Sequence, residues 1–501
     1  MLSRSSNSGE IPNPLPPDPL QAALQRFFGY SEFRSPQREI VECLLQSQDA
    51  LIVLPTGGGK SICYQLPALM RPGVMLVISP LVALMENQVY ALRQRRLSAG
   101  LLHSELPKEQ YRQTLWRLSQ QQLRLLYISP ETLLSPKVWD TLMQPQIQVQ
   151  GMVVDEAHCL VQWGDSFRPA YYRLGSVRRS LQATQASPIL IAAFTATADP
   201  TAQATIARIL QLEQPRSVCL SPYRPNLDLG MQTVWTAHQR RQRLRSFIQS
   251  QSPAGSGTES PPSGLVYVRT RRDTEDLAAW LAQSGLPTRP YHAGLSPQQR
   301  RVVEHKWLSG QLPFVVCTNA FGMGLDLPTV RWIVHFQPPL LLSEYVQEVG
   351  RAGRDGQRAE ALMLVSEPTG WLDPSDRQRR RFFLDQARQQ SHTVKATVRT
   401  LSQQGTVTQG QGAGAEAIAL ALLHQADLLA WSDPFHYTIT GRSRLPPLGQ
   451  SNLHANRQLQ RYVRSRDCRW RYLLRAFGFG SEAEGWRCGH CDTCRWAGSR
   501  T

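Results

Sequence analysis

No stretch of 18 apolar residues occurs in the 501-residue chain, which excludes a membrane-spanning helix and leaves no membrane partner to expect. An apolar leader is missing too. Residues 1–19 are rich in Ser, Asn and Pro and read as a short disordered tail rather than a secretory signal. Acidic residues are scarce: 38 stand against 55 Lys and Arg, and the resulting formal charge of +17 favours polyanionic partners. The bland alternative is a basic surface with no specific partner. A membrane-surface role is disfavoured, because the charge is spread along the chain without a lipidation signal. The nine cysteines are odd in number. Cys43, Cys63, Cys159, Cys219 and Cys317 sit among apolar neighbours and read as core thiols, whereas Cys468, Cys488, Cys491 and Cys494 cluster. Without a leader a cytoplasmic location is expected, and a cysteine cluster there points to metal rather than disulfides.

Hydrophobic residues make up 41% of the chain. That is enough for sizeable cores, and the length suits roughly three domains of ~150 residues. Short apolar runs at Ala50–Leu54, Val74–Ser79, Leu123–Ser129, Met152–Asp155 and Ile189–Thr195 alternate with helical patterns. The alternation repeats at Gly264–Val268, Pro313–Cys317, Arg331–Phe336 and Ala361–Val365. This predicts an α/β fold of two tandem lobes, each a parallel sheet covered by helices, over residues 20–220 and 221–366. Tyr223–Gly230 reads as the hinge and Ser252–Ser263 as a surface loop. A linker and insert follow over 367–450, with a basic run at Arg377, Arg379, Arg380 and Arg381, helices at Val394–Leu401 and Ala417–Leu429, and a hairpin turning at Pro434. A last helix, about His454–Arg466, leads into the cysteines of 451–501.

Leu51–Pro55 runs into Thr56-Gly57-Gly58-Gly59-Lys60-Ser61 and then a helical pattern. A strand feeding a glycine turn at a helix N-terminus aims backbone N–H groups at one point and binds phosphate. Lys60 would reach the β- and γ-phosphates of ATP, and Ser61 would hold Mg²⁺. The longer eight-residue form of the motif is broken by Leu54, yet the mechanical parts are present. Met152–Val154 is an apolar strand ending in Asp155-Glu156-Ala157-His158. There Asp155 would hold the Mg²⁺ and Glu156 would orient and deprotonate water. On its own such a pair is commonplace; beside a phosphate loop it is not. In the second lobe Arg351 and Arg354 stand three apart among glycines, after Gln347. An arginine offered across a cleft to the γ-phosphate accelerates hydrolysis by about 10³–10⁵. The alternative is a basic turn.

With these motifs assembled, the chain resembles the RecQ-type DNA helicases of helicase superfamily 2 from about residue 20 to 366 and again from about 455 to 494. Further matching segments are Phe28-Gly-Tyr30-Ser-Glu-Phe-Arg34-Ser-Pro-Gln37, Ser79-Pro-Leu, Ile128-Ser-Pro-Glu, Phe194-Thr-Ala-Thr-Ala, Tyr291-His-Ala-Gly-Leu and Ala320-Phe-Gly-Met-Gly-Leu-Asp326. The resemblance implies RecA-like lobes and an adenine clasp in which Tyr30 stacks, Arg34 lies nearby and Gln37 reads the base edge. It places Asp326 and Gln347 at the nucleotide too. It further implies 3′→5′ movement on single-stranded DNA, unwinding of forked DNA, a role in recombination and repair at the nucleoid, a monomer, and single-strand-binding protein as a further partner. Gln162, Trp163, Phe167 and Arg168 match the family's aromatic-rich loop. Physically they offer stacking faces and a cation to an exposed strand, at about 1–3 kcal/mol per stacked base; the alternative is a buried aromatic pair. The family usually has His-Asp where this chain has Asp165-Ser166, which puts the coupling of DNA to hydrolysis in question.

The cysteines are spaced C-x19-C-x2-C-x2-C. Four thiolates at this spacing suit tetrahedral Zn²⁺, and an iron–sulfur cluster would use the same donors. The resemblance implies zinc in a helical hairpin, with Arg469, Arg471, Arg487 and Arg495 facing DNA. Seven residues follow Cys494, so the family's usual C-terminal winged-helix and HRDC domains are not expected there. Residues 385–450 are read instead as a winged-helix-like insert, the alternative being a helical spacer. If its hairpin is a wing, removing residues 390–448 should abolish unwinding and spare DNA-stimulated ATPase. Two competing readings remain open at this stage: a translocase or RNA-directed motor, and a zinc-containing DNA-binding protein whose ATP site only switches conformation.

Overall fold

A computed structural model describes residues 18–161, 168–185, 188–251, 263–322, 330–407, 414–441 and 450–498. The first lobe holds β1 (Ala50–Val53), β2 (Val74–Ile78), β3 (Ala99–Leu102), β4 (Leu125–Ile128), β5 (Val149–Val154), β6 (Leu190–Thr195) and β7 (Arg216–Cys219). They form one parallel sheet in the order β3-β4-β2-β5-β6-β1-β7. Every residue of β1 to β6 is buried, as expected where helices cover both faces. The two-residue period divides the core. Leu51 and Val53 pack on one face, and Ala50 and Ile52 on the other.

The second lobe holds β8 (Leu227–Val234), β9 (Ser263–Tyr267), β10 (Pro290–Tyr291), β11 (Phe314–Cys317), β12 (Val330–His335) and β13 (Ala359–Ser366). Its order is β10-β11-β9-β12-β13-β8, again parallel throughout. The expected hinge is corrected here. Leu227–Gly230 open β8, which pairs with β13 from Leu227 to Val234, so the free connection is shorter. No described helix is long and apolar enough to cross a membrane.

The 26-residue helix Ser375–Thr400 leaves the second lobe. Its start is anchored by the buried Arg240, which binds Asp373 at 2.8 Å and Asp376 at 3.0 Å, and by Arg379 donating to Gln337 Oε1 at 3.0 Å. Its far end packs on helix Ala415–Gln425 and on an antiparallel sheet of β14 (Gln404–Thr406), β15 (Leu429–Trp431) and β16 (His436–Ile439), ordered β14-β16-β15. This unit sits on the first lobe. Ala421 joins that lobe's core, and the Phe435 ring meets Trp139 edge-on at 5.3 Å. Arg173 donates to Pro434 O at 2.5 Å and lies 5.4 Å from the Phe435 ring. Arg208 pairs with Asp427 and donates to Gln425 O at 2.9 Å. The tip of the hairpin lies against the first lobe. Pro434 is buried and Phe435 is half-buried against the first lobe, so removing 390–448 also uncovers that lobe's core.

His424 lies under Tyr172, ring to ring 6.1 Å, and burial together with Arg208 pushes its imidazole down to about 4. Its folded value is below the free value of about 6.5, so the undocked state takes up the proton first. The stabilisation is complete above about pH 6.5 and is lost as pH falls towards 4, by up to about 3 kcal/mol. Hydrogen–deuterium exchange, corrected for intrinsic rates, should rise selectively over residues 415–439 between about pH 7 and about pH 5. Protection that stays level there while the rest of the first lobe loosens would contradict this.

Candidate active site

β1 ends in the turn Pro55–Gly59, which opens helix Lys60–Met70. Gly57 (φ 84°) and Gly59 (φ 72°) adopt left-handed backbone, which costs glycine nothing. A Cβ on Gly59 would also lie 2.1 Å from Gln37 Nε2. Gln37 braces the turn, donating to Gly58 O at 3.4 Å and Gly59 O at 3.3 Å, while its Oε1 accepts from the Arg34 N–H at 2.9 Å. Arg34 Nη1 reaches Gly57 O at 3.4 Å. Lys60 Nζ points back towards Leu54 O at 3.5 Å, the outer limit of a hydrogen bond.

β5 lies one strand from β1, with β6 between them, so Asp155 and Glu156 emerge at the same edge as the phosphate loop, outside the carboxyl ends of the strands. Asp155 is buried; its Oδ1 accepts the Glu156 N–H at 3.0 Å, and Tyr64 OH lies 3.4 Å from Oδ2. Glu156 takes φ 52°, a left-handed conformation that side chains adopt at a cost, as is common at functional sites. Its Oε2 lies 3.2 Å from His158 Nδ1, an ion-pair distance without the alignment of a hydrogen bond. Burial and the adjacent Glu156 push the Asp155 carboxyl up. For Glu156 burial acts the same way, but Lys60, His158 and Arg351 outweigh it and hold the carboxyl down. One acid is thus biased towards holding a proton until a cation arrives, and the other towards staying ionised.

The second lobe closes over this edge. Thr56 Oγ1 donates to Gly350 O at 2.6 Å, and Gln347 Nε2 donates to Thr197 Oγ1 at 3.0 Å and lies 3.3 Å from His158 Nδ1. Arg354 lies against Gly57, its Cδ 3.2 Å from where a Cβ would stand. Arg351 is buried, and its Nε has no hydrogen-bond partner among the described residues. Helix Leu342–Val349, which carries Gln347, is fixed by Glu348, which accepts two bonds from Arg269 at 2.7 and 2.8 Å and lies 2.9 Å from His335 Nε2. The result is a cleft of about 880 Å³ lined by Tyr30, Arg34, Gln37, Thr56–Ser61, Asp155 and Glu156 from one lobe and Gln347, Arg351 and Arg354 from the other.

Gln162, Trp163, Phe167 and Asp326 lie outside the described residues, as do Asp165 and Ser166. Arg168 is described, and it donates to Glu131 Oε2 at 3.0 Å. Sequence reasoning missed Thr197, Arg269 and Glu348. Thr197 lay within a quoted motif but without a role, and Arg269 and Glu348 meet only once β9 and helix Leu342–Val349 are packed.

At the C-terminal end the four cysteine sulfurs all lie within 4.8 Å of one another, with Cys468–Cys491 and Cys488–Cys494 at 3.9 Å. A tetrahedron with Zn–S of about 2.3 Å has edges of about 3.8 Å, so one ion fits where several irons would not. The N–H groups of Cys488, Cys491 and Arg469 point at sulfurs, at 3.3, 3.3 and 3.4 Å, and would stabilise thiolates. The expected DNA-facing arginines are largely engaged elsewhere. Arg469 is buried and binds Asp492 at 2.9 and 3.1 Å, Arg471 pairs with Asp467, and Arg495 pairs with Asp228. The module shares a core with the second lobe through Trp470, Leu473 and Phe477, and Trp470 Nε1 donates to Leu227 O at 3.0 Å.

Three family matches cover these parts: DEAD/DEAH box helicase over residues 34–206, the helicase conserved C-terminal domain over 240–356, and RecQ zinc-binding over 438–495. The chain is 50% identical over 477 residues to the ATP-dependent DNA helicase RecQ of Synechocystis sp., covering 95% of this chain and 98% of that one. It is 36% identical to the probable ATP-dependent DNA helicase RecS of Bacillus subtilis (69% and 66% covered), and 37% identical to RecQ of Haemophilus influenzae (70% and 54% covered). Among solved structures, Mycobacterium smegmatis helicase Lhr bound to ssDNA and AMP-PNP aligns with TM-score 0.55 at 21% identity, over 70% of this chain and 48% of that one. The helicase MrfA bound to DNA aligns with TM-score 0.56 at 17% identity, over 89% and 65%; these two likenesses concern the fold. With its phosphate loop, acid pair, opposed arginines and four-cysteine module in matching places, the chain belongs to the RecQ family of ATP-dependent DNA helicases.

Proposed function

We propose that the protein hydrolyses ATP between its two lobes to move 3′→5′ on single-stranded DNA and to unwind forked duplex DNA, serving recombination and repair in the cytoplasm at the nucleoid. The observation that carries the reading is the seating of Arg354 on Gly57: the second lobe's arginine already lies on the first lobe's phosphate loop. In this reading Tyr30, Arg34 and Gln37 hold the adenine, and the loop N–H groups with Lys60 hold the phosphates. Ser61 and Asp155 would hold a Mg²⁺, which supplies charge neutralisation to the phosphates. Glu156, kept ionised, takes the proton of the attacking water. Arg351 and Arg354 stabilise charge on the transferred phosphoryl group. Since these groups come from both lobes, hydrolysis and release alternate with closing and opening of the cleft, and that cycle moves the strand. The cysteine module is read as a structural zinc site, and residues 385–450 as a winged-helix-like insert.

Lys60→Ala should abolish single-strand-stimulated ATP turnover and fork unwinding, and Arg354→Ala should lower turnover by about 10³-fold while leaving strand binding without nucleotide intact. Turnover that ignores DNA, or that responds to single-stranded RNA instead, would favour the competing readings. Unwinding that survives Lys60→Ala would refute the site. Removing the metal with a chelator, or Cys491→Ser, should lower the Tm of the second lobe by about 10 °C or more, since ~1 kcal/mol moves a domain of this size by roughly 2–4 °C. An unchanged Tm after verified zinc loss would exclude a structural role.

A further inference from the structure

Helix Lys60–Met70 carries Ser61 and Tyr64 at i and i+3, a spacing that puts both on one side. Ser61 faces the cleft. Tyr64 lies behind it, wholly buried, with its ring edge-on to Phe194 at 5.3 Å. A buried hydroxyl is costly unless it is hydrogen-bonded. Tyr64 OH donates to Asp155 Oδ2 at 3.4 Å, and the Ser61 and Tyr127 hydroxyls are its other hydrogen-bonding neighbours. The bond to Asp155 is long, as bonds in a site are before the ligand arrives. Tyr127 is buried too and accepts from Gln65 Nε2 at 2.7 Å, while Gln65 Nε2 also donates to Gln88 Oε1 at 2.9 Å.

Packing alone does not call for this hydroxyl. A phenylalanine would fill the same place in the core and would need no partner. What the hydroxyl adds is a grip on Asp155. Asp155 Oδ1 already accepts the Glu156 N–H at 3.0 Å, so with Tyr64 on Oδ2 both carboxylate oxygens are held and the carboxylate plane is fixed. Groups that bind a metal's ligands from behind orient them and are worth about 10–100-fold in metal affinity or activity. Ser61 and Asp155 offer oxygen donors only, the set that suits Mg²⁺. Mg²⁺ demands a near-ideal octahedron, whereas Ca²⁺ tolerates irregular placement. A carboxylate that cannot turn therefore favours the smaller ion.

We propose that Tyr64 is a positioning residue for the Mg²⁺ site: its hydroxyl, set between Ser61 and Asp155, orients both before the cation binds, and so sets the affinity and the preference for Mg²⁺ over Ca²⁺. The inference rests on Ser61 and Asp155 being the groups that hold Mg²⁺, as read above, and not on DNA, direction or stepping. Tyr64 acts only through those two groups. Tyr127, Gln65 and Gln88 continue behind it as a row of polar contacts reaching helix Val82–Gln94, which keeps the phenol from turning away.

The test measures metal binding directly, without turnover. Electron paramagnetic resonance would follow Mn²⁺, standing in for Mg²⁺, as it binds the full chain in the presence of AMP-PNP. The variants are Tyr64→Phe, Asp155→Asn and Tyr291→Phe. Tyr64→Phe should weaken Mn²⁺ binding by about 10-fold. Less Ca²⁺, relative to Mg²⁺, should then be needed to displace the Mn²⁺. In ATPase assays the half-saturating Mg²⁺ should rise by the same factor while kcat recovers at saturating Mg²⁺. Tyr291→Phe removes another buried hydroxyl, one bound to Glu304 at 2.6 Å, and should leave Mn²⁺ affinity at the level of the parent. Unchanged Mn²⁺ affinity in Tyr64→Phe, with binding weakened in Asp155→Asn, would overturn the positioning role and leave the metal reading standing. Full Mn²⁺ affinity in Asp155→Asn would overturn that reading and the proposal with it. A lower kcat at every Mg²⁺ concentration with no shift in metal dependence would mark Tyr64 as structural only. Weakened binding with an unaltered Ca²⁺ to Mg²⁺ ratio would overturn the selectivity. If Tyr64→Phe fails to fold, Tyr127→Phe, which frees one side of the phenol, should weaken Mn²⁺ by about 2–5-fold, the worth of one hydrogen bond, and an unshifted affinity there would overturn the role.

Discussion

The carbonyl oxygen of Gly350 is where the molecule becomes one machine. It accepts the Thr56 hydroxyl of the phosphate loop at 2.6 Å and Arg224 Nη1 of the interlobe connection at 2.9 Å. A side chain at Gly350 would put its Cβ 2.5 Å from Thr56 Oγ1 and force the lobes apart. Everything chemical depends on that close approach. With it, Arg354 reaches Gly57 and Gln347 reaches Thr197; without it, the first lobe has a phosphate loop and an acid pair but no opposing cation.

The rest of the chain holds the second lobe in the attitude that this contact requires. Arg269 and His335 grip Glu348 from the carboxyl ends of β9 and β12, fixing the helix just before the arginines. On the far side the cysteine module completes the same lobe. His490 lies 3.0 Å from Asp228, and Tyr223, in the interlobe connection, packs edge-on against both Trp470 and Trp486. A metal held by Cys468, Cys488, Cys491 and Cys494 would therefore order the connection as well as its own hairpin. Arg240, buried among Asp373, Asp376 and two backbone carbonyls, ties the long helix to the same body. Its burial is tolerable because every face of the guanidinium meets an acceptor.

Much of this was legible in the residues, and the failures share a cause. Strands buried on both faces are continuous apolar runs, so β1, β2, β4, β5, β6, β9, β11, β12 and β13 could be read directly. The phosphate loop announced itself through its glycines, of which Gly57 and Gly59 take φ 84° and 72° and Gly59 leaves no room for a Cβ beside Gln37. Edge strands carry no such signal. In β7, Arg216 and Ser217 are exposed, and β8 mixes Asp228 and Gly230 among its apolar residues, which made it look like a hinge. Arginines misled most. Arg469 looks in the sequence like any surface cation, yet it is buried on Asp492 because the module folds back on itself.

The insert seated on the first lobe has a kinematic consequence. Two bodies joined by one flexible segment can tumble about many axes. Here residues 220–226 form one joint, and the long helix, pinned by Arg240 at its root and through its head to Arg173 and Arg208, forms a second. Two joints leave a single axis running through both. An opening of the cleft would then be a rotation about that axis, with Arg354 leaving and regaining Gly57 along one arc. A strand lying across both lobes would feel that arc as a displacement in one fixed direction.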